Sequence, residues 1–256
     1  MKFSKEKSVY QYLMDIKKQR GAGFLVLMDP DRSSREVVVE HALRCRDVGV
    51  DALLVGTSLM MRNEFHDHVE ALSESVDIPV IIFPGEKSQI AEKADAILFL
   101  SLISGRNPDY IIGEQVRSAP FIKNMGLEAI STAYLLIESG RMTSVEFMSN
   151  TKPIPSDKPD IAAAHAIAAE ILGMKLIYLE AGSGAVQPVP DTIIREVVSE
   201  VTIPVVVGGG IRDAGTVAMK VAAGASFVVV GNHLEKSDNM SHLEAFVRAA
   251  HTLQSW

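Results

Sequence analysis

The chain has 256 residues, of which 47% are hydrophobic, so it can bury a full core in one large domain or two small ones. Its formal net charge is −7 at pH 7 and its basic residues are scattered, which argues against a nucleic-acid-binding protein. No apolar run reaches the roughly 18 residues of a membrane-spanning helix, and the lysine-rich N-terminus lacks the apolar stretch of a signal peptide. The one cysteine, Cys45, cannot form an intrachain disulfide, which indicates a reducing, cytoplasmic environment.

Residues 1–20 are amphipathic and predict an N-terminal helix that packs on the domain following it. Eight short apolar runs come next, and most are too continuously apolar for antiparallel strands with one face in water. The runs that predict strands cover residues 23–28, 51–55, 79–83, 96–99, 128–135, 175–179, 203–207 and 226–230.

Segments with helical periodicity lie between the predicted strands, and most begin with Ser, Asp or Pro. They cover residues 34–48, 108–124, 160–172, 191–201, 214–223 and 241–253. Eight strands alternating with helices predict an α/β fold in which a parallel sheet closes into a (β/α)8 TIM barrel. Such a barrel typically has about 250 residues, so residues 1–256 are expected to form a single domain. Segment 137–159 interrupts the alternation, because it is polar and proline-rich, and its length is typical of an active-site loop or an interface.

Glycine turns follow three successive predicted strands and so lie at the C-terminal rim of the barrel. That rim carries the active site of such barrels and commonly a phosphate site. The turns are Gly182-Ser183-Gly184, Gly208-Gly209-Gly210 and Gly231-Asn232. Glycines let backbone N–H groups converge on anionic oxygens. One such turn could simply permit a tight strand–helix corner, whereas three in succession favour a phosphate-binding rim.

Glu180 is the best candidate for a general base, because it leaves a buried strand beside this rim. Burial would raise its pKa, whereas a nearby metal or arginine would lower it. The alternative is a salt bridge, for example with Arg212. Tyr178 points the same way along the strand and could orient a substrate hydroxyl, or it could be a filler of the barrel interior.

Asp29 closes the first predicted strand at the same rim. A carboxylate there suits Mg²⁺, which binds few protein ligands and leaves positions for phosphate oxygens. The neighbouring turn, Gly56-Thr57-Ser58, could add a hydroxyl. Taken alone, Asp29 fits a turn cap at least as well, because Asp29-Pro30-Asp31 is favourable turn chemistry.

Several motifs occur in an order that resembles the geranylgeranylglyceryl phosphate synthase family, from about Phe24 to Glu235. They are Leu27-Met28-Asp29-Pro30-Asp31, Val55-Gly56-Thr57-Ser58, Phe83-Pro84-Gly85, Tyr178-Leu179-Glu180-Ala181-Gly182-Ser183-Gly184, Val207-Gly208-Gly209-Gly210-Ile211 and Val230-Gly231-Asn232. A further stretch is similar to the second group of that family, the polyprenylglyceryl phosphate synthases of archaea and some bacteria. It contains Ser101-Leu102, Arg106 and Tyr110-Ile111-Ile112-Gly113.

The resemblance implies a prenyltransferase that joins a polyprenyl diphosphate, such as geranylgeranyl diphosphate, to the C3 hydroxyl of sn-glycerol 1-phosphate and releases pyrophosphate. It implies that Mg²⁺ is held by Asp29 and Ser58, although Thr57 is an alternative because family members often have a second glycine in this turn. Glu180 would accept the proton, with Tyr178 as the second catalytic residue. The residues implied to bind sn-glycerol 1-phosphate are Tyr178, Leu179, Glu180, Ala181, Gly182, Ser183, Gly184, Gly209, Gly210, Gly231 and Asn232.

The resemblance also implies a homo-oligomer, such as a hexamer, and the lipid substrate implies transient contact with a membrane. The prenyl tail needs an apolar groove. Candidate lining residues, each of which could equally be an ordinary core residue, are Phe83, Phe99, Leu100, Tyr134 and Leu135. Two alternatives stay open: a metal-free phosphosugar isomerase or lyase barrel, and a non-catalytic barrel that binds a phosphate ligand.

Overall fold

The computed structural model describes residues 3–4, 7–231 and 240–253. Eight parallel strands form a closed barrel in which each strand pairs with the next and the eighth pairs with the first. The predicted (β/α)8 fold is therefore confirmed. The strands are β1 Gly23–Met28, β2 Ala52–Val55, β3 Val80–Ile82, β4 Ala96–Ser101, β5 Glu128–Leu136, β6 Leu176–Glu180, β7 Val205–Gly208 and β8 Phe227–Val230.

Helices lie between the strands and form the outer layer. They are α1 Val9–Arg20, α2 Arg35–Asp47, α3 Phe65–Ser75, α4 Glu114–Met125, α5 Ser144–Ser149, α6 Pro159–Ile171, α7 Asp191–Glu200, α8 Ala214–Ala222 and α9 Met240–Ala250. A π-helical turn, Asp109–Gly113, leads directly into α4. No helix within the described residues is both long and apolar enough to cross a membrane.

Two helical predictions need correction. Sequence reasoning missed α3, although Phe65, Val69 and Leu72 give it a buried face at helical spacing. The N-terminal helix begins at Val9 rather than near the first residue.

The first helix closes the N-terminal end of the barrel. Its buried residues Val9, Tyr12, Leu13 and Ile16 belong to the same apolar cluster as the inward-facing strand residues. The carboxylate of Glu128, at the start of β5, accepts hydrogen bonds from the first backbone N–H groups of α1. The opposite, C-terminal rim is left for ligands.

Alternation along the strands separates two cores. On β6, Ile177 and Leu179 face the helix layer, whereas Tyr178 faces the barrel interior. Because side chains alternate along a strand, Glu180 at the end of β6 lies on the same side as Tyr178. The strand thus places a tyrosine and a carboxylate, in that order, beneath the C-terminal rim.

Candidate active site

The Glu180 carboxylate is buried at the rim, with 6% of the residue exposed. Its Oε1 accepts a hydrogen bond from the Gly182 N–H at 2.6 Å. Burial raises the pKa of Glu180 to about 7, against the opposing effects of the Gly182 hydrogen bond and of the nearby Tyr178 hydroxyl. Among the described residues no cation pairs with this carboxylate, and Arg212, the alternative partner, donates instead to the Ala185 carbonyl at 2.9 Å. A carboxyl that titrates near neutral pH is well matched to general-base work.

Tyr178 stands directly beneath Glu180 in a stack of three aromatic rings. Its ring centroid lies 5.1 Å from that of Phe83 and 5.6 Å from that of Tyr134. Burial and the Glu180 charge hold the pKa of Tyr178 well above its usual range, so its hydroxyl is protonated. That hydroxyl lies close to the Glu180 carboxylate. It is buried and forms no hydrogen bond within the described part of the chain. Tyr178 is therefore a filler of the barrel interior that also carries an unused donor beside the carboxylate.

The turn after β7 lies against the same carboxylate. Gly209 has a φ of +85°, and a Cβ added there would overlap Glu180 Oε1. Only glycine combines this backbone conformation with such a close approach. An anion held by the main chain of this turn would consequently lie next to Glu180.

The remaining predicted residues of the phosphate rim contribute in different ways. Leu179 and Ala181 bury their side chains in the outer core, and the Ala181 N–H bonds to the Gly208 carbonyl, so neither offers a side chain to a ligand. Gly231 follows β8 and packs beside Leu27 of β1. Asn232 lies outside the described residues.

The segment after β5 supplies two groups that sequence reasoning did not single out. The Arg141 guanidinium lies against Gly184, and Thr143 packs against Gly182. The Thr143 hydroxyl is buried and has no hydrogen-bond partner within the described residues. Only the general length and polarity of segment 137–159 pointed to this region, because neither residue belongs to a recognisable motif.

Asp29 follows β1 on the same rim and has several partners. Its carboxylate accepts hydrogen bonds from the Asp31 N–H at 3.2 Å, from Arg32 Nε at 2.7 Å and from the Thr57 hydroxyl at 3.3 Å. It caps the short 3₁₀ turn Pro30–Arg32, as the capping alternative requires. The neighbouring Ser58 is exposed.

A cavity of about 910 Å³ extends from Asp29 to the turn that follows β6. Its polar end is lined by Asp29, Thr57 and Ser58, and Ser183 of the β6 turn also lines it. Of the predicted groove residues, Phe83, Phe99, Leu100 and Tyr134 line the cavity. Leu135 does not, because it faces the helix layer and is fully buried there. Sequence reasoning missed the contributions of the π-helical turn and of α5, which include Tyr110, Val145, Phe147 and Met148.

The polar end fits Mg²⁺ by its donor chemistry, because it offers a carboxylate and hydroxyl oxygens. Within the described residues there is no group of three or more His, Cys, Asp or Glu side chains that could enclose a metal. Mg²⁺ is often held by only one or two carboxylates together with substrate phosphates. Asp29 with Thr57 or Ser58 matches that pattern.

The fold and site define a TIM-barrel enzyme that combines a glycine-rich C-terminal rim, a buried carboxylate and a large, mainly apolar cavity. Residues 14–250 match the model of the PcrB family. The chain is 45% identical over 232 residues to a geranylgeranylglyceryl phosphate synthase of Chitinophaga pinensis, which covers 91% of this chain and 92% of that protein. It is 46% identical over 216 residues to the enzyme of the same name from Thermococcus kodakarensis, covering 84% of this chain and 85% of that one. The chain belongs to the PcrB family.

Solved structures agree with this assignment. A wild-type GGGPS from Thermoplasma volcanium superposes with a TM-score of 0.91 at 34% identity, covering 98% of this chain and all of that one. The (S)-3-O-geranylgeranylglyceryl phosphate synthase of Thermoplasma acidophilum, solved with its substrate sn-glycerol-1-phosphate, gives 0.90 at 32% identity, covering 96% and 99%.

Proposed function

We propose that the chain transfers a prenyl group from a polyprenyl diphosphate to the C3 hydroxyl of sn-glycerol 1-phosphate and releases pyrophosphate. The observation that supports this most directly is the shape of the cavity. Its polar end lies at Asp29, its walls are mainly apolar, and it extends to Ser183 in the turn that follows Glu180. One cavity therefore suits a substrate with a charged head and an apolar tail, and it extends to the turn where we expect the second substrate to bind.

Glycerol phosphate would bind over the turns that follow β6, β7 and β8. The backbone N–H groups around Gly209 and Gly210 would hold the phosphate, since converging main-chain donors favour anions. The Tyr178 hydroxyl would orient the acceptor hydroxyl towards Glu180, and Arg141 would add a positive charge at the edge of the rim. Holding both reactants in place can supply several kcal/mol of the barrier lowering.

In the reaction itself, the C3 oxygen forms a bond to the first carbon of the prenyl chain while the bond from that carbon to the diphosphate breaks. The electron pair of the broken bond leaves with pyrophosphate, and the hydroxyl proton passes to the Glu180 carboxylate. Mg²⁺, held by Asp29 with Thr57 or Ser58, would neutralise charge on the diphosphate when bound. The apolar walls bind the tail, at about 0.8 kcal/mol for each buried CH₂ group.

The direct test is incubation of the protein with sn-glycerol 1-phosphate, MgCl₂ and prenyl diphosphates of graded length. We expect pyrophosphate release coupled one-to-one to an ether product identified by mass spectrometry, with a maximum at one chain length. Replacement of the acceptor by its enantiomer, sn-glycerol 3-phosphate, should suppress the product. Absence of ether product with every chain length would contradict the proposal.

A homo-oligomer, such as a hexamer, and transient membrane contact in the cytoplasm belong to the same proposal. Exposed apolar side chains at the cavity rim support the membrane contact, notably Met61 at 79% and Phe147 at 72% exposure. Analytical ultracentrifugation with and without lipid vesicles tests both proposals. Sedimentation as a monomer would contradict the oligomer, and a failure to co-sediment with vesicles would contradict the membrane contact.

A further inference from the structure

The buried side chain of Gln89 joins the turns that follow β2 and β3. It lies in the short 3₁₀ turn Lys87–Gln89 and has no exposed surface. Its Oε1 accepts hydrogen bonds from the N–H groups of Thr57 and Gly85, each at 3.2 Å. Its Nε2 donates to the Thr57 carbonyl at 2.9 Å. The amide thus holds both polar groups of the Thr57 backbone.

The two turns fit together without spare space. A Cβ added to Gly56 would overlap the Phe83 carbonyl, and a Cβ added to Gly85 would overlap the Thr57 carbonyl. After Thr57 the chain forms no helix or strand until α3 begins at Phe65. Gln89 therefore supplies a backbone anchor for a turn that regular secondary structure holds on one side only.

The anchored residue reaches the polar end of the cavity. The Thr57 hydroxyl donates to Asp29, and Thr57, Ser58 and Gly85 all line the cavity, whereas Gln89 itself lies behind them. We infer that Gln89 is a positioning residue for diphosphate binding. It acts through Thr57 to fix the turn Gly56-Thr57-Ser58, called the hydroxyl turn below, beside Asp29. This inference rests on the proposed function, because it assumes that the diphosphate occupies this end of the cavity.

The chemistry of the side chain makes the inference specific. A primary amide carries both an acceptor and a donor, whereas a carboxylate only accepts and a thioether offers only a weak acceptor. Gln89→Glu would lose the bond to the Thr57 carbonyl and place two oxygens against each other. Gln89→Met would keep much of the side-chain volume, because methionine is unbranched and adapts to its surroundings. It would lose all three hydrogen bonds, because a thioether cannot replace the amide.

The experiment measures binding and kinetics in both variants. Calorimetry with inorganic pyrophosphate and with geranylgeranyl diphosphate is run with and without MgCl₂, and KM is determined for each substrate. We expect Gln89→Met to weaken Mg²⁺-dependent binding of both diphosphates by about tenfold, and Gln89→Glu at least as much. The KM for sn-glycerol 1-phosphate should stay within about twofold, because that site lies across the barrel on the turns after β6 to β8.

Asp95→Ala is the matched control, because Asp95 also holds a backbone group next to β3 but at the other end of the barrel. The Asp95 carboxylate accepts a hydrogen bond from the Val80 N–H at 2.8 Å, at the opposite end of β3. Loss of this bond should lower the melting temperature without changing diphosphate affinity. If the Gln89 variants behave like Asp95→Ala, Gln89 is only structural and the inference is overturned. Should Gln89→Met fail to fold, the near-isosteric Gln89→Glu decides the question.

The two proposals fail in different ways. A wild-type protein that forms no ether product contradicts the proposed function. A wild-type protein that forms the product, with Gln89 variants that bind diphosphate as tightly as it does, contradicts only the role of Gln89.

Discussion

Replacement of Glu180 by glutamine is expected to lower kcat by about a thousandfold, since a positioned general base typically contributes about 10²–10⁴-fold. Glutamine keeps the size of the side chain and an oxygen that can accept the Gly182 N–H bond observed at 2.6 Å. The variant should therefore fold and bind sn-glycerol 1-phosphate with an affinity within about threefold of wild type. Single-turnover rates with both substrates saturating, together with calorimetry of the acceptor, separate the two effects.

Tyr178→Phe is the matched comparison, because it keeps the stack with Phe83 and Tyr134 and leaves the carboxylate in place. It removes only the hydroxyl beside Glu180, so we expect a smaller loss, of about tenfold. A Glu180→Gln variant that turns over as fast as Tyr178→Phe would remove Glu180 from the role of base.

The same glutamine variant should change the pH dependence of stability. In the unfolded chain this carboxyl has its ordinary pKa of 4.5, whereas burial raises the pKa to about 7 in the folded protein. Between these values Glu180 is protonated in the folded protein but ionised in the unfolded chain. The free energy of unfolding is therefore highest below pH 4.5 and falls as the pH rises through about 7. The shift corresponds to roughly 3 kcal/mol at 1.36 kcal/mol per pKa unit.

Glutamine has no charge to bury, so Glu180→Gln should exceed wild type in free energy of unfolding by up to about 3 kcal/mol at alkaline pH. The difference should shrink as the pH falls below 7 and vanish below about pH 4.5. Urea unfolding of both proteins across this range measures it. A difference that does not vary with pH would mean that Glu180 is not the group that titrates.

Much of this site could be predicted from local patterns in the sequence. Continuous apolar strands predicted the barrel, and the glycine turns predicted a phosphate site at its C-terminal rim, which stays a prediction. Strand alternation placed Tyr178 and Glu180 on one side. Applied strictly, alternation would also have excluded Leu135 from the groove, because its neighbour Tyr134 faces inward.

Other features depend on contacts that no local pattern encodes. Gln89 holds a residue 32 positions away, and nothing in its neighbourhood marks it as different from an exposed loop glutamine. Phe99 and Leu100 are adjacent, yet both line the cavity. Alternation assigns them to opposite faces, so the pattern along the strand does not predict that both line it. Arg141 and Thr143 matter because a long loop folds back over the β6 turn, which composition alone does not reveal.

Replacement of Asp29 by asparagine is the second change with a large expected effect. We expect Mg²⁺-dependent affinity for geranylgeranyl diphosphate to fall by about 30-fold or more, because charged hydrogen-bond and metal partners are worth several times a neutral one. Without Mg²⁺, Asp29→Asn should leave the affinity for geranylgeranyl diphosphate unchanged or raise it. Asp29 and the diphosphate are both negative, so removing the aspartate charge relieves a repulsion when no cation lies between them.

This dependence on Mg²⁺ separates a metal ligand from a turn cap. A residue that only capped the turn Pro30–Arg32 would lower diphosphate affinity by the same factor with and without metal. Asparagine retains an oxygen that can accept the Asp31 N–H bond, so the cap itself is largely conserved in the variant. Calorimetric titrations with diphosphate in MgCl₂ and in EDTA give both factors from one protein preparation.

Asp31→Asn is the matched control, two residues along the same turn. The Asp31 carboxylate accepts hydrogen bonds from the backbone N–H groups of Met61 at 2.6 Å and Arg62 at 2.9 Å, so it anchors the loop after β2. Asparagine has one acceptor oxygen where aspartate has two, so this variant should loosen the loop and weaken diphosphate binding equally in MgCl₂ and EDTA. If Asp29→Asn gives the same metal-independent loss, the carboxylate holds the turn rather than Mg²⁺. The cation would then have to be held by the hydroxyl turn and the diphosphate alone.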